Sequence, residues 1–375
     1  MADEYVADGV PFLRSQNVKP FEISSEGLLH ISRTFHQKLV KSKLRTGDVV
    51  VVRTGYPGTA AVIPEQFDGS NCADLVVITP SADLNPHMLA AVFNSTWGRA
   101  AVGGQLVGSA QQHFNVGSAK ALRVRLPDRP TQDRIASVLC ALHDLIDNNR
   151  RRAEVLDEIV RAIYREWFVH FRYPGHDGVT FIESPLGLIP EGWNVGSVGD
   201  LIRLQRGFDL PARERVPGTV PVVGASGFQG HHGLAKVAGP GVTTGRSGTI
   251  GAVTYVPEDF WPLNTALWVK EFRDSTPLFA YMLLQSLDLK QAASGAAVPT
   301  LNRNHVHALA ALKPPAGLID EWDSAARPMF ELATALRRSN RALVATRDSL
   351  VPKLLTGRID ITSLDLDTLV DMAVA

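Results

Sequence analysis

Thr244 to Phe260 reads TGRSGTIGAVTYVPEDF, and the fold turns on whether its glycines hold a phosphate or turn a hairpin. The spacing of Gly245, Gly248 and Gly251 invites the first reading. A dinucleotide loop, however, opens a helix whose N-terminus faces the pyrophosphate. Here the glycines run into AVTYV, a β-branched stretch with strand character, so no helix dipole is available. A P-loop needs Lys followed by Ser or Thr after its last glycine, and none follows. A thinner version of the same text, TGYPGTAAVIPEQF, also stands at Thr54 to Phe67. The pair reads as a recurring glycine-rich turn between strands. It presents Arg246, Ser247 and Thr249 in one copy, and Arg53, Thr54 and Tyr56 in the other.

Working outward, the recurrence spreads over the chain at a lag of about 190 residues. GVPFLRSQNV (Gly9 to Val18) is answered by GTVPVVGASG (Gly218 to Gly227), and GSAQQHFN (Gly108 to Asn115) by GAAVPTLN (Gly295 to Asn302). Each half then reaches a proline, Pro127 or Pro315, and continues into a long helical pattern. The shared order points to duplication. DVVVVRTG (Asp48 to Gly55) and DLVVITP (Asp74 to Pro80) read as strands, and HMLAAVFNSTWG (His87 to Gly98) as a helix ended by Gly98. The second half mirrors them with GAVTYV, TALWVKEF and a helix near Leu278 to Leu287.

The helix over Gln132 to Val169 is the clearest element. Ile135, Val138, Leu139, Leu142, Leu145 and Ile146, then Leu156, Ile159, Ile163 and Trp167, recur at three- and four-residue steps without an internal Gly or Pro. Its length would be on the order of 55 Å. A second tract, Ile319 to Leu355, carries Phe330, Ala333, Leu336, Leu343 and Leu350, with Pro328 expected to kink it or mark its start and Pro352 to act likewise near its end. Asn149 and Asn340 interrupt the two seams at comparable places. Such helices pair as an antiparallel coiled coil whose polar residues fix register. The expected fold is α+β: two similar strand-rich α/β domains held apart by paired long helices, related by a pseudo-twofold repeat. The boundaries fall at 1–127, 128–172, 173–315 and 316–375, the second and fourth segments being the helices and the C-terminal tail.

Composition narrows the function. The 375 residues carry 38 Lys and Arg against 38 Asp and Glu, so the basic surplus of a free-standing nucleic-acid binder is missing. Any DNA role must use local patches or a partner's charge. Two cysteines, Cys72 and Cys140, suit a reducing compartment and read as core residues. There is no secretory pattern at the start and no run of roughly 18–20 apolar residues, so a cytoplasmic protein without membrane segments is expected.

Catalytic patterns are not found. LNPHML (Leu84 to Leu89) lacks the second proline and the aromatic of an amino-methyltransferase, and helicase and nuclease clusters are missing. The histidine pairs at His231 and His232 and at His305 and His307 have no Cys, Asp or Glu at ligand spacing, so neither metal nor cofactor is expected. What remains is a supply of loop-borne side chains suited to base edges. Gln111, Gln112 and His113 stand at one landmark, and Thr300, Arg303 and Asn304 at its counterpart. Asn and Gln pair with adenine, and Arg with guanine, in the major groove. Arg206, Ser226, Gln229 and His231 complete the candidate DNA contacts.

These features together resemble the specificity subunit of type I restriction-modification systems. The likeness rests on LIPEGWNVGSVGDLIRLQRG (Leu188 to Gly207), on VTTGRSGTIGAV and FWPLNTALWV, on the helix text from Arg125 to Phe168, and on RDSLVPKLLTGRI (Arg347 to Ile359). It implies two target-recognition domains, each reading half of a divided DNA site, with the helices setting the spacing and docking two methyltransferase subunits. A motor-nuclease subunit can join such a complex. The family's specificity subunit is non-catalytic and directs an adenine methyltransferase; a scaffold without full DNA recognition is the alternative. One departure stands out. The second domain has about 28 residues between Pro190 and Pro217 before its GTVPVVGASG text, whereas only MADEYVAD precedes the first copy. Either the start lies upstream, or the first domain lacks an opening strand and leaves a sheet edge exposed.

Overall fold

Each half of the chain carries a strand pair joined by a glycine-rich loop, Val49–Val52 with Ala60–Val62 and Gly241–Gly245 with Val253–Val256. The computed structural model describes residues 4–104, 113–124, 126–294, 299–355 and 358–359. It divides into two compact units, Met1–Arg152 with Ala335–Ala375, and Ala153–Thr334.

In the first unit, β1 (Tyr5–Val6), β2 (Val10–Leu13), β3 (Val18–Lys19), β4 (Glu22–Ile23) and β5 (Leu29–Ile31) precede helix α1 (Arg33–Lys38). There follow β6 (Val49–Val52), β7 (Ala60–Val62), β8 (Asn71–Cys72) and β9 (Leu75–Ile78), then α2 (Pro86–Asn94), α3 (Thr96–Gly103), α4 (Val116–Ala121) and the start of α5 (Arg129–Phe168). One sheet has the order β1-β5-β2-β8 and a second the order β7-β6-β9. The four valines of β6 are all buried, since both faces of the strand are covered.

In the second unit, a hairpin of β10 (Phe181–Ser184) and β11 (Gly187–Pro190) leads to β12 (Asn194–Ser197), α6 (Val198–Leu201) and β13 (Ile202–Arg206). Next come β14 (Val220–Gly224), β15 (Gly227–His232), β16 (Gly241–Gly245), β17 (Val253–Val256), β18 (Trp261–Pro262) and β19 (Ala266–Phe272). The unit continues with α7 (Pro277–Ser286), β20 (Ala293–Ser294), β21 (Thr300–Leu301), α8 (Arg303–His307), β22 (Ala310–Lys313) and α9 (Leu318–Leu355). Its main sheets have the orders β15-β14-β18 and β13-β19-β16-β17.

The duplication is visible as topology. β2 pairs antiparallel with β5 and parallel with β8, as β14 pairs with β15 and β18. β6 lies between β7 and β9, as β16 lies between β17 and β19. The outer partner differs: β19 takes β13 along its free side, whereas β9 has no strand there among the described residues. Leu75 and Val76 of β9 are nevertheless buried. MADEYVAD is not featureless either, because Tyr5 and Val6 form β1 against Ile31 and His30.

Both long helices form, and their apolar faces are used within each unit. In the first, Ile135, Val138, Leu139 and Leu142 of α5 cluster with Leu343, Leu350, Val351 and Leu354 of α9. The direction is antiparallel: Phe21 touches both His143 and Arg347, while the Asn340 side-chain amide donates to Ile146 O at 2.8 Å. Asn149 is buried at 4 % exposure. In the second unit, Tyr164 and Phe168 of α5 surround Trp322 of α9 at ring distances of 5.7 Å each.

Three expectations about element ends need correction. Helix α5 begins at Arg129, before Gln132, because Pro130 sits in the first turn, where its missing N–H costs nothing. Helix α9 runs unbroken through both Pro328 and Pro352. The burial of Trp322 and Ala326 at 0 % exposure on one side of the proline and Phe330 at 9 % on the other holds the helix where propensity would interrupt it. Gly98 ends nothing: the break falls at Ser95, whose hydroxyl accepts from Gly98 N at 2.9 Å and caps α3. Gly98 is glycine because a Cβ there would overlap Val92 O.

Candidate nucleic-acid interface

The opening stretch is a hairpin. β16 and β17 pair antiparallel from Gly241↔Val256 to Thr244↔Val253, and the loop closes with Gly245 N donating to Ala252 O at 2.9 Å. Gly248 and Gly251 take φ of +81° and +77°, a conformation that costs glycine little. Gly245 serves differently: a Cβ there would fall far inside contact with Thr249 O and 2.6 Å from Ala225 O. Thr249 is exposed at the tip, while Arg246 and Ser247 are half-buried.

Around this loop the structure gathers several candidates that lie far apart in the chain. Arg246 N and Ser247 N both donate to Thr265 O, at 2.9 and 3.2 Å, and the Arg246 guanidinium donates to Asn264 O at 3.4 Å. Ala225 N, one residue before Ser226, donates to the Thr265 hydroxyl at 3.3 Å. Leu301 N donates to Arg246 O at 2.8 Å, and Ser247 bridges Thr300. Arg206, exposed at the end of β13, pairs in register with Leu267, two residues after Thr265. Asn264 and Thr265 therefore form the hub of the site, yet neither carries a chemical signal in the sequence beyond its place in FWPLNTALWV. Gln229 and His231 are exposed along β15; the Gln229 amide reaches the Ser226 hydroxyl at 3.5 Å and His231 stacks edge-on to Phe228 at 4.9 Å.

Arg303 and Asn304 open α8, two residues beyond β21, and both are exposed. Asn304 lines a concavity of about 440 Å³ together with Ser197, Asp200, Arg203, Arg273 and His307. Leu204 N donates to His307 Nε2 at 2.8 Å, so the neutral ring carries its proton on Nδ1. Burial, then the charges of Arg303, Arg273 and Arg203, hold the His307 pKa below its ordinary value. Asp200 is held low by hydrogen bonds from the Ser197 backbone and hydroxyl, with help from Lys313 and Arg273. Arg203 pairs with Glu271 at 2.6 Å, whereas Arg303 has no ion-pair partner among the described residues. Arg273 also approaches Glu271 at 3.7 Å, so the arginines around the concavity are offset in part by Glu271 and Asp200.

The first unit repeats the plan more sparely. Arg53, Thr54 and Tyr56 sit on the β6–β7 loop, closed by Gly58 N donating to Val52 O at 3.1 Å. Tyr56 is 84 % exposed, whereas the Arg53 Nε is buried without a partner. His113, half-buried, adjoins Arg53 because Phe114 N donates to Arg53 O at 3.1 Å. Gln111 and Gln112 lie outside the described residues.

Among the described residues no three His, Cys, Asp or Glu side chains group to hold a metal ion, and no helix is long and apolar enough to cross a membrane. Cys72 is buried on β8, its thiol pushed up to about 12 by burial and then by Asp48. Its packing matches the reading from sequence.

Among the described residues, then, stand a duplicated sheet framework with polar loops at its strand ends and paired helices. Residues 190–309 match the family model described as the Type I restriction modification DNA specificity domain. The type I restriction enzyme MjaIX specificity subunit of Methanocaldococcus jannaschii is 24 % identical over 281 residues, 68 % of this chain and 65 % of the relative. The chain thus spans just under two thirds of that relative's length. The HindI specificity subunit of Haemophilus influenzae is 33 % identical over 54 residues, 14 % of this chain and 12 % of the relative. The crystal structure of the type I restriction-modification S subunit from M. genitalium superposes with a TM-score of 0.62 at 14 % identity, covering 94 % of each chain, and so shares the fold. The resemblance to type I specificity subunits read from the sequence is shared by domain, relatives and fold.

Proposed function

We propose that this chain is the non-catalytic DNA-specificity subunit of a type I restriction-modification complex, directing an adenine methyltransferase to a divided site. The observation that carries the reading is the gathering of Arg246, Ser247, Ser226 and Thr300 around Asn264 and Thr265 at one end of a duplicated framework. Polar groups on loops fixed by a rigid scaffold suit the reading of base edges. Residues 1–127 and 173–315 would each take one half-site, through Arg53, Thr54, Tyr56 and His113 in the first. In the second, Arg206, Ser226, Gln229, His231, Arg246, Ser247, Thr249, Arg303 and Asn304 would serve. The segments 128–172 and 316–375 would set the spacing and dock two methyltransferase subunits in the cytoplasm, with a motor-nuclease subunit able to join. A partner's charge accounts for DNA binding by a chain of zero net charge.

Arg246→Ala is expected to relax selectivity at one half-site by about 1–3 kcal/mol and leave the other unchanged. Competition between duplexes altered at single positions, using the complex with methyltransferase, measures this. Equal weakening at both halves would make Arg246 a phosphate or structural residue instead.

A further inference from the structure

The most basic segment of the first unit is one that the candidate interface leaves out. Arg33 to Arg45 reads RTFHQKLVKSKLR, with Arg33, Lys38, Lys41, Lys43 and Arg45 and no acidic residue. All five cations are exposed, and none makes a salt bridge among the described residues. Other cations of the same unit do have acidic partners, among them Lys19 with Glu26 and Arg129 with Asp133. Five like charges on one short stretch repel each other, so something must hold the stretch in place.

What holds it is a set of partly buried polar bonds. The Ser32 hydroxyl caps α1 by accepting from Phe35 N at 3.2 Å and donates to Glu4 at 2.9 Å. The Ser42 hydroxyl donates to Asn71 Oδ1 at 2.8 Å, and the fully buried Asn71 donates through Nδ2 to His36 Nδ1 at 2.6 Å. The neutral His36 ring is left with an Nε2–H donor. Leu44, fully buried, anchors the far end, its N–H donating to Ser70 O at 2.8 Å and its carbonyl accepting from Gly69 N at 3.0 Å. The charges are displayed on a fixed ridge.

Beside that ridge lies a concavity of about 430 Å³ lined by Arg33, His36, Gln37, Gln66, Asp68 and Ser70. Asp68 accepts from Thr46 N and the Thr46 hydroxyl at 2.9 and 3.3 Å through Oδ1, so its one negative charge stands against the cations of the neighbouring segment. Ser70 is 1 % exposed, and its hydroxyl is buried without a hydrogen-bond partner. A buried hydroxyl left unmade is costly unless a ligand completes it. Arginine, a ring N–H, amide donors and a waiting hydroxyl are the groups that hold a phosphate oxygen.

We propose that Arg33–Arg45 and the Ser70 concavity form a docking surface for the phosphate backbone of duplex DNA, which positions the first unit without reading sequence. The inference rests on the DNA-specificity reading above. The repeat places the segment beside the equivalent strand: His30 of β5 lies opposite Pro11 as the exposed His231 of β15 lies opposite Pro221, and α1 starts three residues beyond His30.

The test compares Lys38→Gln/Lys41→Gln/Lys43→Gln with the wild type, each as the full chain with its methyltransferase subunits. The affinities for a duplex carrying the recognised motif and for a scrambled duplex are measured against salt. Both affinities should fall, and the slope of log K against log salt should shrink by roughly 2–3. Ser70→Ala should weaken both duplexes about tenfold. An unchanged slope in the triple variant overturns the proposal, as does a loss confined to the cognate duplex, which would make the segment a base reader. Unchanged binding by Ser70→Ala removes the concavity from the surface. If the wild-type complex binds neither duplex, the DNA-specificity reading itself fails, and this outcome is distinct from the others.

Discussion

Trp322→Ala is expected to destabilise the second unit by about 3–5 kcal/mol, the range for truncating a large aromatic in a core. Trp322 is fully buried and lies edge-on to Tyr164, Phe168 and Phe279 at 5.7, 5.7 and 6.2 Å. Those rings come from α5 and α7, so the indole joins both helices to α9. Its Nε1–H is buried without a partner, so Trp322→Phe gives up volume but no hydrogen bond. The phenylalanine variant should therefore recover much of the loss. Chemical denaturation monitored by tryptophan fluorescence and by circular dichroism checks both. A cost below about 1 kcal/mol for the alanine would mean that the aromatic cluster does not hold the unit together.

Gly245→Ala should abolish recognition of one half-site while leaving the unit folded. The added Cβ would drive into Thr249 O and approach Ala225 O at 2.6 Å, and both obstacles are backbone. The β16–β17 loop and the β14–β15 turn would have to separate, taking Arg246, Ser247 and Ser226 away from Thr265 together. Losing several contacts at 1–3 kcal/mol each implies a fall in selectivity of about 100-fold or more. Gly248→Ala is the control: its Cβ meets nothing within 4 Å, and only the φ of +81° resists it. That strain is worth about 1 kcal/mol. Competition binding with the methyltransferase complex separates the two, and equal behaviour of both variants would contradict the role given to Gly245.

Much of the fold was legible because periodicity and duplication are local signals. The seams from Ile135 to Leu142 and from Leu343 to Leu350 announced the paired helices, and the twin loops announced the repeated hairpin. Pro328 and Gly98 misled because tertiary packing decided there: Trp322 and Ala326 hold α9 through its proline, and close approach to Val92 demands a glycine inside α3. The site was legible only in part. Arg246 and Thr249 could be named from a polar turn, but Thr265 works through its carbonyl and hydroxyl, receiving groups 19 and 40 residues away. No short-range pattern encodes such a hub. The cluster of Arg203, Arg273 and His307 was hidden likewise, since a strand end, a strand exit and a short helix meet there only in the folded chain.

The central claim is that this chain chooses where an adenine methyltransferase acts. Mapping adenine methylation across the genome of a strain with and without the gene tests it most directly. The account predicts that one divided motif disappears from the methylome when the gene is removed and returns when it is restored. An unchanged methylome in a strain that expresses the methyltransferase would contradict it.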